Sequence, residues 1–132
     1  MMKQELVYEP TWKRVLSEQD HDLIEKIFER TPPPTEGEIQ FIPIRAAYNH
    51  RGDLIATALI QNSKNSSFSV YELTLIYKEN GTELAKHVFT IPRLHIPPHT
   101  TMPWSFLFPK EAQDKKASLI EWELVWEPAM KG

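Results

Sequence analysis

The chain has 132 residues and is 41% hydrophobic, 25% charged and 11% aromatic, a profile that excludes a fully disordered chain. Fifteen Lys and Arg against 18 Asp and Glu give a net charge of −3, so no global basic field is available to hold nucleic acid or an anionic lipid surface. The absence of cysteine excludes a disulfide framework, thiolate metal sites and a cysteine nucleophile, and 11 prolines argue against long uninterrupted helices.

The length fits one domain, residues 1–132. No apolar core follows Met1 to Leu6, and no run approaches about 18 consecutive apolar residues. The expectation is a chain with no secretory signal and no transmembrane helix, located in the cytoplasm.

In chain order, a helical segment comes first, within about 12–31. Ser17 has the chemistry of an N-cap, and Glu18 and Asp20 suit the positive end of the helix dipole. Leu23, Ile24, Ile27 and Phe28 then form one apolar stripe at helical period. Thr31-Pro32-Pro33-Pro34 stops the helix, because a proline disfavours α geometry at the residue before it.

The remainder alternates apolar runs with turn signals. Ile39–Tyr48 is the first run, and Asn49 to Asp53 is a turn cluster. Leu54–Gln61 is the second, followed by a polar loop from Asn62 to Ser67. Phe68–Lys78 is the third, with Tyr71, Leu73, Leu75 and Tyr77 on one parity. Asn80-Gly81 then reads as a tight hairpin into the fourth run, Glu83–Ile91. Residues 92–98 form a proline-containing connection to the fifth run, His99–Phe108. In the sixth, Leu119–Glu127, residues Ile120, Trp122, Leu124 and Trp126 face one way and the glutamates the other. The pattern predicts a mostly β fold: a six- to seven-stranded antiparallel, immunoglobulin-like β-sandwich over about 37–127, with one short N-terminal helix packed on it.

A search for chemistry returns little. His95 and His99 are four apart, but Pro97 and Pro98 forbid the helix that would make them a ligand pair, so solvated turn histidines are expected. Glu121 and Glu123 lie at i, i+2 on one predicted strand face, which reads as a wet surface or an acidic contact with a partner. The four glycines are scattered, so no phosphate-cradling loop forms, and no nucleophile elbow is present. Arg51-Gly52-Asp53 spells an adhesion tripeptide, yet it sits where a turn wants Gly and Asp for backbone reasons. Trp104, Phe106 and Phe108 share a parity and read as core, as do Trp122 and Trp126. Tyr8 and Trp12 fall outside the regular runs and read either as anchors for the N-terminal segment or as an exposed apolar patch. No catalytic, metal-binding or cofactor-binding set emerges.

Several pieces then stand in a recognisable order. Pro32-Pro33-Pro34-Thr35-Glu36-Gly37 leads into a strand, Ala58-Leu59-Ile60-Gln61-Asn62 ends one, and Asn80-Gly81-Thr82-Glu83-Leu84-Ala85 leads to Phe89. The run closes on Pro103-Trp104-Ser105-Phe106-Leu107-Phe108. Over roughly 12–127 the chain resembles the SLAP domain of Firmicutes, named for the S-layer assembly protein of the accessory Sec secretion system. Gln61 stands where that family often has arginine. The resemblance implies a non-enzymatic, protein-binding domain, present once, that assists export or assembly of surface-layer proteins beside the accessory Sec ATPase at the cytoplasmic side of the membrane. Its partner would be a secretion component or a surface-layer client, with no nucleic acid and no cofactor. Tyr8, Trp12, Glu121 and Glu123 are the candidate contact residues, and Leu119–Glu127 is a candidate edge for strand addition. Peripheral membrane association and a homodimer stay open. The alternatives are a sandwich that binds a small ligand or carbohydrate, which requires two exposed aromatics on one face, and a structural dimerisation domain.

Overall fold

The computed structural model describes residues 4–127. Two sheets face each other across an apolar core. The first has strand order β1-β8-β3-β2, from β1 (Glu5–Leu6), β8 (Thr100–Phe108), β3 (Leu54–Asn62) and β2 (Ile39–Tyr48). The second has order β6-β5-β9, from β6 (Thr82–Phe89), β5 (Leu73–Glu79) and β9 (Trp122–Glu127). A two-stranded ribbon of β4 (Phe68–Ser69) and β7 (His95–Ile96) completes the set. The chain makes a hairpin in one sheet (β2–β3), crosses to a hairpin in the other (β5–β6), returns as β8 and crosses again to β9. That alternation between layers is the immunoglobulin-like sandwich the turn spacing predicted.

Side-chain size sets the register at the centre. Ala58 pairs with Trp104 and Ala56 with Phe106, so two of the three large rings on β8 face a small residue on β3, while Phe108 pairs with Leu54. Phe89 from the second sheet meets Phe106 and Phe108 edge-on at 5.2 and 5.3 Å, which locks the two layers together. β3 is buried on both faces: Leu54, Ala56, Ala58 and Ile60 enter the inter-sheet core, while Thr57, Leu59 and Gln61 lie on the other parity. That second face is covered by the N-terminal segment, α1 (Pro10–Arg14) and α2 (Glu18–Arg30). The Ser17 hydroxyl accepts from the Asp20 N–H at 3.1 Å and caps α2 as expected. Ile24 is the one fully buried residue of this helix.

The structure departs from the sequence reading at five points. Two helices precede the sandwich instead of one, because Pro10 and a capping Glu9 start a separate turn before Ser17. The sheet is not wholly antiparallel: β1 joins β8 in parallel. The run 68–78 is two strands, since Glu72 adopts φ 47° and reverses the facing parity. Val70 is therefore buried and Tyr71 is 68% exposed, off the face assigned to it. The proline connection at 92–98 holds a strand, β7. Finally, Leu119 and Glu121 both have positive φ, so the last strand begins only at Trp122 and Ile120 points to solvent.

Candidate functional site

The N-terminal segment builds the most developed surface feature. β1 ends at Leu6, and the Val7 N–H still donates to the Thr101 carbonyl at 2.9 Å. Glu9 then turns the chain: its carboxylate accepts from the N–H groups of Thr11 and Trp12 at 3.0 and 3.2 Å. The Thr11 N–H above all holds this carboxyl below its usual range. Trp12 is thereby fixed over the sheet. Tyr8 stacks on the His21 ring at 5.3 Å and on Trp12 at 6.5 Å, with the Lys13 ammonium 5.6 Å from its centroid. Burial, and then the Glu25 carboxylate, push the Tyr8 phenol up.

Between these helices and the outer face of the first sheet lies a groove of about 170 Å³, with Trp12, Leu16, Leu23, Ile24 and Ile44 in its wall. Val15 and Leu23 stand on its rim, 82% and 37% exposed. A forked pair closes one side, the Arg45 guanidinium donating to both Asp20 oxygens at 3.0 and 3.4 Å. That pair keeps the Asp20 carboxyl below its ordinary value. Thr57 and Ser105 complete the lining, which is polar and apolar in nearly equal measure, and a mixed cleft with exposed aliphatics suits a protein contact.

Of the four candidate contact residues, Tyr8 and Trp12 come together here. Glu121 and Glu123 belong to the second sheet and do not join them. Nor do those two share a strand face: Glu121 sits in a left-handed turn before β9, and Glu123 is paired in register with Lys78. The free side of β9 runs beside β2, and the Trp126 indole donates to the Ile39 carbonyl at 3.1 Å.

The other sequence candidates have local roles. Asn49 Oδ1 accepts from the N–H groups of Arg51 and Asp53, and Asp53 accepts from the Lys110 N–H, so the adhesion-like tripeptide is a braced hairpin turn. His95 bonds Ser69 at 2.7 Å, whereas His99 bonds Asn65 at 2.9 Å. Among the described residues, the group with metal-like convergence is instead His21, Asp22 and Glu25 on the solvent side of α2, a spacing the sequence reading did not single out. Two polar anchors also escaped it. Asn62 is fully buried; its amide donates to the carbonyls of Ser66, Ile96 and Pro97, and its oxygen accepts from the Lys64 N–H. Glu79 is buried under the 117–121 loop. The only available signal was Asn62 ending an apolar strand; nothing in the pattern distinguishes Glu79 from a surface glutamate.

An immunoglobulin-like sandwich carrying a helical cover is thus the class the architecture defines. Residues 6–128 match the family model described as the SLAP domain, and the chain belongs to that family. No curated protein and no solved structure matches it. Among the described residues, no helix is long and apolar enough to cross a membrane.

Proposed function

We propose that this chain is a non-enzymatic protein-binding domain that assists export or assembly of surface-layer proteins with the accessory Sec system, working at the cytoplasmic side of the membrane. Membership of the SLAP family supports the setting. The groove of mixed polar and apolar lining beside Trp12, with Val15 standing almost free in solvent, is the observation that carries the binding role. A soluble surface leaves such aliphatics together where a partner covers them. The acidic residues Glu121 and Glu123 offer a second, polar contact. The carbohydrate alternative needs two exposed aromatics on one face, and Tyr71 is the one exposed aromatic side chain among the described residues.

Affinity capture from the source cells tests the reading. The tagged protein is expected to recover a secretion component or a surface-layer protein, and the double variant Val15→Glu/Leu23→Glu is expected to lose it while melting like the parent. Recovery of neither class of protein, or equal recovery by the variant, overturns the proposal.

A further inference from the structure

The two main sheets present four edges, and three of them have neighbours along part of their length. β2 and β9 lie side by side, closing one flank. The outer edge of β6 is met by the loop after a 3-10 turn at Lys110–Ala112: the Asp114 N–H donates to the Leu84 carbonyl at 2.8 Å, and Ala85 bridges to Gln113. β8 differs. β1 occupies its edge only briefly, with the Glu5 and Val7 N–H groups donating to the carbonyls of His99 and Thr101 at 3.2 and 2.9 Å. Backbone groups along a strand point to alternate sides, so Pro103, Ser105 and Leu107 face the same way as His99 and Thr101. The chain turns into α1 after Val7 and leaves those three positions without a neighbouring strand among the described residues. Pro103 agrees with this assignment, because a missing N–H is harmless to the β3 ladder only if it points outward.

Alongside this edge runs a groove of about 390 Å³, walled by His87, Val88, Phe89, Trp104, Phe106 and Leu107. Val88 and Leu107 are 54% and 42% exposed at its mouth. The open window is short, since Pro103 and Pro109 offer no donor at either end.

We propose that the outer edge of β8 from Pro103 to Leu107 captures an extended segment of a protein partner as an added strand, in the lane that β1 vacates. The inference rests on the protein-binding reading for its partner and adds the surface and the partner's conformation. The Ser105 and Leu107 N–H groups and the carbonyls of Pro103, Ser105 and Leu107 supply the ladder, and the groove takes apolar side chains at alternate positions of the incoming strand. A second β8 does not fit with Ser105 against Ser105. Antiparallel pairing centred on Ser105 sets residue 109 of the other copy opposite Thr101, where β1 already lies.

The probe is an acetylated, amidated Thr-Val-Thr-Val-Thr peptide titrated into the isotope-labelled protein. Binding is expected to move the amide signals of Ser105 and Leu107 and slow their hydrogen exchange. N-methylation of one alternate set of peptide residues should abolish binding, and methylation of the other set should leave it. Leu107→Pro removes an outward N–H that the β3 ladder does not use and should weaken binding about five-fold or more, the loss of one net hydrogen bond. Val88→Lys, which leaves the β8 backbone intact, should weaken it as well and serves if Leu107→Pro misfolds. Shifts confined to β2 or β9, equal binding of both methylated peptides, self-association that accounts for the shifts, or unchanged affinity in a folded variant overturn the assignment. Peptide capture at this edge by a protein that recovers no secretion component would leave the edge standing and remove the export role. The converse result would remove only the edge.

Discussion

Glu79 shows how much one side chain can organise. It is 9% exposed, and its carboxylate accepts from the Tyr77 hydroxyl at 2.7 Å, the Ser118 N–H and hydroxyl at 3.0 and 2.9 Å, and the Leu119 N–H at 2.9 Å. Burial alone would raise its pKa, but these donors, the Ser118 N–H foremost, outweigh that and hold it below the ordinary value of 4.5. Burial, reinforced by the bond to Glu79, raises the Tyr77 phenol in turn. A carboxyl lowered by folding stabilises the native state fully above its unfolded pKa, and that contribution drains away as pH falls through the folded one. Glu79→Gln puts an amide donor against at least one of these N–H or O–H groups. It should cost about 2 kcal/mol at neutral pH and flatten the stability loss below about pH 4.5, measured by urea unfolding across pH. None of this was visible in the sequence, because a glutamate ending an alternating run looks the same whether a later loop folds over it or not. Asn62 was half legible: its place after an apolar strand stood out, whereas the carbonyls it gathers come from residues up to 35 positions away.

At the level of elements, local chemistry carried the reading wherever it acted alone. Asn80 and Gly81 take φ values of 50° and 78°, the left-handed pair that a two-residue hairpin turn requires. The helix 18–30 begins where its cap and acidic first turn placed it, and Ser17→Ala should cost about 1 kcal/mol, read as a lower urea midpoint at an unchanged denaturant slope. The errors arise where a single backbone dihedral overrode an alternating pattern, at Glu72 and at Leu119 and Glu121. They arise too where an element is too short to have a period, as with β1 and β7. The candidate site was legible to the same degree. Two aromatics outside the regular runs pointed to the N-terminal patch, but the groove needed Ile44 and Arg45 from β2, whose approach no local signal encodes.

For the whole molecule, the order of the layers sets the tempo of folding. The first sheet joins β3 to β8 and β8 to β1, pairings that span 38 or more residues. Contacts this distant must overcome loop closure before they are rewarded, so refolding followed by stopped-flow tryptophan fluorescence is expected on a scale of about milliseconds to seconds rather than microseconds. The parallel pairing of β1 has a consequence for synthesis in the cell. Glu5 and Leu6 are synthesised long before their strand partners Thr100 and Thr101. Until then β1 has no lane to occupy, and α1 and α2 have no finished surface to settle on. The helical cover therefore waits for β8 before it can close during translation, and its apolar side stays within reach of chaperones until then.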